Sequence, residues 1–312
     1  MGMAQDGREP ALVKLPDGRQ VRLGMIEPAA KRPALQLAAY FNAAEVTLQP
    51  PERVDYASKA IRSLREVYLN DQLGTCVIAG VAHGFGVWSG NDAGSPIMAT
   101  DAEIRAAYEG ICGPGDRGCY IGDVLDYARA VGLTLGSTRR KIDGYVAVES
   151  RDVLLLKVAT WLFGGLSIGI RTPSEWINAA REGAVWDVPR RIDNRGGHYI
   201  RAVDYGPDGM RCSTWGVLVT VTWRALAMSR IVTEVYAELS SHWYGDDRIA
   251  PCGIDAKKLL EDLAKIDVGV LPDEPPAPPP PPATKRWRVG WEGGFAEVSS
   301  PTTPYVEPVL ST

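Results

Sequence analysis

Histidine is scarce in this chain: His83, His198 and His242 are the only three in 312 residues. None has a second histidine or a cysteine at the spacing of a tetrahedral metal site, and six residues separate Cys112 from Cys119 where two to four are usual, so no metal is expected. No cofactor is expected either. Cysteine is sparse as well. Cys76, Cys112, Cys119, Cys212 and Cys252 are too few and too scattered for a disulfide scaffold, which predicts free thiols and a reducing compartment. There is no block of Lys or Arg and no basic stripe interleaved with aromatics, and the net charge is −4, so nucleic acid is not an expected partner. Long apolar runs are missing too. The longest, from Val153 to Ile170, is interrupted by Lys157 and by Gly164-Gly165, and the first 24 residues lack a basic start followed by an apolar stretch. Neither a membrane span nor a signal peptide is expected, and Asp6 stands where an N-myristoylation signal takes Ser or Thr. The expected location is the cytoplasm, or the virion if the gene belongs to a phage.

What is present is the composition of a folded protein, 45% hydrophobic and 23% charged. Residues 1–53 are punctuated by proline and read as an extended arm that wraps the domain. The main domain is expected over 54–270. Its first part is helical: VDYASKAIRSLREVYL (54–69) places Ala57, Ala60, Ile61, Leu64 and Val67 at helical spacing, and a second helix begins near Cys76. Thr100 and Glu103 form a capping box for a third helix, and Tyr120 to Val131 makes a fourth that Gly132 stops. After residue 135 the runs GYVAVES, LSIGI, YIRAVDY and VLVTV read as strands. Helices are expected at Asp152–Phe163, Trp223–Leu239 and Lys257–Ile266. A helical half followed by a largely antiparallel half predicts an α+β fold with a cleft between two lobes. Residues 271–284 hold a proline run that predicts a stiff polyproline linker. Within 285–312, KRWRVGWEGGFAEV alternates around Glu292-Gly293-Gly294 as a hairpin does, and so small a unit needs a protein partner to dock on.

Three patches carry possible chemistry. Asn70-Asp71-Gln72-Leu73-Gly74-Thr75-Cys76 runs directly into an apolar helix. A thiol at a helix N-terminus feels the positive end of the peptide dipoles, which favours the thiolate nucleophile. An upstream amide, Asn70 or Gln72, and the Cys76 backbone N–H are candidate donors to an oxyanion. The plainer alternative is a buried structural cysteine. In Gly196-Gly197-His198-Tyr199-Ile200, a histidine opens a strand behind two glycines, which leave room for a substrate beside the imidazole. Such an imidazole suits proton transfer to and from the thiol and a leaving amine. The alternative is a histidine hydrogen-bonded in the core. His83 lies two helical turns beyond Cys76 and is assigned to packing. The third patch is Arg211-Cys212-Ser213-Thr214-Trp215-Gly216, one hairpin after His198.

The order Cys, then His about 120 residues later, then a polar residue before Trp-Gly resembles the papain family of cysteine peptidases over residues 54 to about 240. Val54-Asp55-Tyr56 is similar to the start of the family's mature domain. Gly118-Cys119-Tyr120-Ile121-Gly122 is similar to the stretch lining its cleft, and Gly165 to Ile170 to its central strand. The resemblance implies a two-lobed papain-like fold with Cys76 and His198 catalytic, Ser213 orienting the imidazole, and Asn70 or Gln72 serving the oxyanion. It also implies that Gly118, Cys119, Tyr120, Gly122, Gly197 and Trp215 contact a peptide or protein substrate. Two departures stand out: Asn70 where the family has Gln, and Ser213 in the slot of its Asn, with Thr214 or Asp204 as possible substitutes. The pattern looks most like the divergent papain-like proteins of bacteriophage and bacterial genomes. Three functions are therefore carried forward: a thiol hydrolase of peptide or isopeptide bonds; a weak or inactive structural protein of a virion attached through the linker and tail; and acyl transfer or amidase activity on cell-wall peptides.

Overall fold

The computed structural model describes residues 9–30, 36–38, 49–244, 285–291 and 294–300. The chain divides into two compact units, Met1–Gly269 and Val270–Thr312. Cys252, the expected helix at 257–266 and the proline run at 272–283 lie outside the described residues.

The first unit opens with an antiparallel hairpin, β1 (Ala11–Lys14) and β2 (Gln20–Leu23). After β3 (Val54–Asp55) the periodic stretch beginning at Ala57 keeps its buried face, with Ala57, Ala60 and Leu64 all below 2% exposed. It is not one helix. A 3₁₀ turn at Ser58–Ala60 precedes the short α1 (Ile61–Leu64), and Tyr68 and Leu69 then take left-handed conformations with φ of 49° and 63°. These two residues turn the chain sharply before α2 (Cys76–Asp92). Every residue from Cys76 to Gly90 in α2 is buried, as expected of a helix that is apolar on all sides. The helices α3 (Asp101–Cys112) and α4 (Ile121–Ala130) complete the helical lobe, and the Thr100/Glu103 capping box forms as the sequence predicts. Cys112 and Cys119 are joined by a disulfide. This corrects the expectation of free thiols throughout, because the bridge links the end of α3 to the strand-like segment before α4, and such bonds persist in oxidising surroundings.

After a small ribbon of β4 (Leu133–Leu135) and β5 (Thr138–Arg140), the chain builds the sheet lobe. The sheet follows the order β6 (Gly144–Ala147), β12 (Val232–Leu239), β7 (Leu166–Arg171), β9 (Gly197–Tyr205), β10 (Gly209–Thr214), β11 (Val217–Thr222) and β8 (Val185–Trp186), with β3 paired to β9. All pairings are antiparallel except that of β11 with β8. The helix α5 (Val153–Phe163) starts where expected, its N-cap Asp152 accepting from the Leu155 N–H at 2.9 Å, and ends on left-handed Gly164. A short α6 spans Ser174–Ala179. The helix expected over Trp223–Leu239 is corrected. Only α7 (Trp223–Leu226) is helical, and residues 232–239, VTEVYAEL, form the interior strand between β6 and β7. Pairing with β7 over its first half and with β6 over its second overrides a local pattern readable either way. After α8 (Ser241–Tyr244) the described part of this unit ends.

α2 packs on β9 through a stripe of missing side chains. A Cβ on Gly80 would come within 1.8 Å of the Tyr199 ring, and one on Gly84 within 3.0 Å of the Arg201 guanidinium. Glycine in a helix interior costs roughly 0.5–1 kcal/mol against alanine, yet here it is what lets the helix that begins at Cys76 approach the strand that begins at Gly197-His198. In the second unit, β13 (Lys285–Trp291) and β14 (Gly294–Ser300) pair antiparallel with Trp291 opposite Gly294.

Candidate active site

Cys76 is the first residue of α2, with no side-chain cap on the helix. Its thiol is buried, and backbone N–H groups of Tyr199, Gly24, Val77 and Cys76 itself interact with it. Burial dominates and pushes the thiol up to about 11. His198, second in β9, is 1% exposed, and burial pulls its imidazole down to about 3. Both groups are therefore neutral at pH 7. The two line one cavity together with Asn70, Ala79, Gly80, His83, Ser213, Thr214 and Trp215. At about 20 Å³ it admits about one water molecule.

The imidazole is held from two directions. Nε2 is 2.8 Å from the Thr214 hydroxyl, and the ring stacks on Trp215 with centroids 4.3 Å apart and planes 20° from parallel. Nδ1 is buried and unpartnered. Thr214, the last residue of β10, thus makes the imidazole contact expected of Ser213. Ser213 also lines the cavity, but its hydroxyl is spent on the Leu64 carbonyl, to which it donates at 3.0 Å. Trp215, at φ 48°, starts the turn to β11. His83 is buried against the Tyr68 ring at 4.9 Å and lines the same cavity, closer to the site than packing alone implied.

Asn70 also lines this cavity. Its side-chain amide donates to the carbonyls of Leu73 and Arg22, each at 3.1 Å. The Leu73 bond fixes the amide, and the Arg22 carbonyl takes its second hydrogen. Gln72 is exposed and is not among the residues around the cavity. Asp116, which the sequence did not single out, accepts from the Gly74 N–H at 2.8 Å and from the Tyr108 hydroxyl at 2.7 Å, and Tyr108 in turn accepts from the Gly118 N–H at 2.7 Å. One carboxylate thus ties the turn before Cys76 to the far wall of the groove.

That groove is filled by the N-terminal arm. The Cys119 N–H donates to the Gly24 carbonyl and its carbonyl accepts from Ile26, both at 2.8 Å; the Gly197 carbonyl accepts from Met25 at 3.1 Å. Met25 and Cys119 pair in the parallel sense. The room that Gly197 leaves is taken by Met25, whose carbonyl oxygen would lie 2.3 Å from a Cβ there, and Gly118 leaves similar room for the Gly24 carbonyl. Gly118, Cys119 and Gly197 therefore sit on the groove walls, against the arm. Tyr120 is half-buried as the N-cap of α4, and Gly122 is buried inside that helix, so neither reaches the strand held between the lobes. The sequence predicts an arm that wraps the domain, but its seat in the groove escapes that reading because Leu23-Gly24-Met25-Ile26 carries no motif; the glycines opposite it are the trace it left.

No family model matches this chain, and no curated protein matches it. Solved structures do. Xylellain, a cysteine protease from Xylella fastidiosa, aligns with a TM-score of 0.55 at 15% identity, covering 77% of this chain and 99% of that one. Digestive procathepsin L 3 of the Tenebrio molitor larval midgut aligns with a TM-score of 0.53 at 13% identity, covering 70% of this chain and 76% of that one. This chain has the fold of the papain-like cysteine proteases.

Proposed function

We propose that the protein is a papain-like thiol hydrolase acting on peptide or isopeptide bonds. The observation that carries this reading is that one cavity is lined by a helix-N-terminal thiol and by an imidazole whose Nε2 is held by Thr214 and whose buried Nδ1 is unpartnered. In this scheme Nδ1 takes the Cys76 proton, the thiolate attacks the carbonyl carbon, and the Asn70 amide hydrogen released by the Arg22 carbonyl, with the Cys76 N–H, holds the oxygen as it gains charge. The C–N bond then breaks, the imidazolium returns its proton to the leaving amine, and water hydrolyses the thioester. Acyl transfer to an amine other than water uses the same residues. The test is an epoxysuccinyl peptide followed by intact-mass and peptide mapping. Stoichiometric alkylation at Cys76, lost in His198→Ala, supports the reading. Alkylation only at Cys212, or none after the groove is opened, sinks it.

A second reading is an inactive structural protein, in a virion if the gene belongs to a phage. The one-water cavity and a separate C-terminal unit favour it. Deleting residues 270–312 separates the two: a hydrolase keeps its turnover, while an assembly component loses its place in the particle. The hydrolase reading is compatible with cytoplasm or virion, and the tail's partner is in either case another protein.

A further inference from the structure

The Asn70 amide is aimed by a single peptide group. One of its hydrogens is bonded to the Leu73 carbonyl at 3.1 Å, and that carbonyl also accepts from the Thr75 N–H at 2.8 Å. The other edge of the same peptide unit is the Gly74 N–H, which points the opposite way, because the carbonyl and N–H of a trans peptide lie on opposite sides of one plane. That N–H donates to Asp116 Oδ1 at 2.8 Å. The Leu73–Gly74 plane is therefore gripped at both edges, by Asn70 on its oxygen and by Asp116 on its hydrogen. Glycine at 74 permits backbone conformations closed to other residues, so the plane needs an outside partner to hold it. Asp116 is itself held. It sits in the loop Gly113–Gly118, which the Cys112–Cys119 disulfide closes and in which Gly113, Gly115 and Gly118 take left-handed φ of 83°, 84° and 77°. The buried Tyr108 hydroxyl donates to the same Oδ1 at 2.7 Å and accepts from the Gly118 N–H at 2.7 Å. Burial, with the carboxylate beside it, pushes the phenol up from its ordinary value, so Tyr108 keeps the proton it shares with Asp116. Arg22 Nη1 lies 3.4 Å from Oδ2. Each of these contacts brings a hydrogen or a positive charge to the carboxylate. Neither Asp116 nor Tyr108 lines the Cys76 cavity, so any effect of theirs on the chemistry passes through the turn.

Resting on the hydrolase reading, we propose that Asp116 is a positioning residue for the oxyanion site: it holds the Leu73–Gly74 peptide so that Asn70 keeps one hydrogen on Leu73 and turns the other toward the substrate oxygen. Tyr108 keeps the carboxylate in place and couples it to the Gly118 wall. Without Asp116 the plane is free to rotate, the Leu73 carbonyl leaves Asn70, and the amide loses the bond that aims it. The loss falls on the transition state, where the oxygen gains charge, and not on peptide binding.

The test is a double-mutant cycle in the full-length protein, with kcat and KM on a peptide substrate expressed per Cys76 titrated by an epoxysuccinyl peptide. Counting only titrated sites removes molecules that fail to fold. Asn70→Ala is expected to lower kcat about a hundredfold and Asp116→Ala about tenfold, with KM within about threefold in both. Asp116→Asn keeps an oxygen for the Gly74 N–H and is expected to stay within about threefold of the parent. Added to Asn70→Ala, Asp116→Ala is expected to cost less than about twofold more, because the group it positions is gone. Tyr108→Phe keeps the buried ring and decides the matter if Asp116→Ala does not fold: about fivefold alone, and under about twofold on top of Asn70→Ala. Losses that multiply, a rise in KM that accounts for the effect, or an Asp116→Ala protein with the parental kcat overturn the positioning role and leave the hydrolase reading standing. A parent that cuts no peptide, with or without Glu27→Arg to break the arm's ion pair with Arg171, overturns the hydrolase reading and this role with it.

Discussion

Thr214 carries more of the site than its position in the sequence suggests. The Thr214 hydroxyl, 2.8 Å from Nε2, and the stacked Trp215 ring hold the imidazole plane, and in the proposed mechanism the hydroxyl accepts the Nε2 hydrogen so that Nδ1 is the base. Thr214→Val is isosteric and removes only the hydroxyl, so it is expected to lower kcat on a peptide substrate by about 10–100-fold, up to the lower end of what general-base catalysis supplies, because the imidazole is loosened and not removed. Ser213→Ala, one residue away, is expected to leave kcat within about threefold and to act on stability through the lost bond to Leu64. Equal kinetic losses in the two variants would contradict the assignment. The buried imidazoles also set an acid response. His83 and His198 are both pulled from 6.5 to about 3 by burial. The unfolded chain therefore binds two protons below pH 6.5 that the folded chain refuses, so stability present above that pH falls as pH drops. Asp204, raised from 3.8 to about 6 chiefly by burial despite Arg211, keeps a proton that the unfolded chain has lost and opposes one of the two terms. The net is a loss of order 1 kcal/mol per pH unit between about pH 6 and 4. Urea midpoints at pH 7 and pH 5 check this: a lower midpoint at pH 5 is expected, and an equal or higher one contradicts it. Cys76 and His198 were legible in the sequence because a helix start and a strand start mark them. Thr214 was not, since choosing it over Ser213 requires knowing which face of β10 looks at the cavity.

Among elements, the register of α2 against β9 decides whether the thiol and the imidazole meet. That register is pinned by glycines on the helix and by a polar cluster in the core. Arg201 of β9 and Glu238 of β12 form an ion pair at 2.6 Å with side chains 0% and 1% exposed, and the guanidinium lies 5.3 Å from the Trp88 ring of α2. Ser167 of β7 bonds both Tyr199 and Glu238. Removing one partner leaves a bare buried charge. Glu238→Ala is therefore expected to cost about 3–5 kcal/mol, and Arg201→Met with Glu238→Leu to cost distinctly less than the single change. Equilibrium urea unfolding of the three proteins decides; a double variant as damaged as the single would contradict the charge explanation. The strand after α7 shows the limit of local reading. VTEVYAEL has the spacing of either element, and only its two neighbours in the sheet, β6 and β7, make it a strand. By contrast α3, α4 and α5 were legible because caps at Thr100 and Asp152 and the left-handed Gly164 mark their ends in the chain itself.

At the scale of the whole molecule, the first 53 residues are not merely a wrapping arm: the part from Arg22 to Glu27 closes the groove between the lobes. Its closure explains why Cys76, at about 11, and His198, at about 3, are both neutral in this structure, since burial is the leading cause of each shift. Opening the groove returns water to both groups and lets the N–H groups around the sulfur, together with the start of α2, favour the thiolate paired with an imidazolium. The hairpin of β13 and β14 belongs to the other compact unit. The most direct test is the pH profile of Cys76 alkylation in the Glu27→Arg protein, with and without His198→Ala. A thiolate–imidazolium pair predicts a rate that stays high below pH 7 and falls with a low apparent pKa, and the His198→Ala change should move the profile up to that of an ordinary thiol. A profile that rises only above pH 8 and is the same with and without His198 would mean that the two side chains share a cavity and no chemistry.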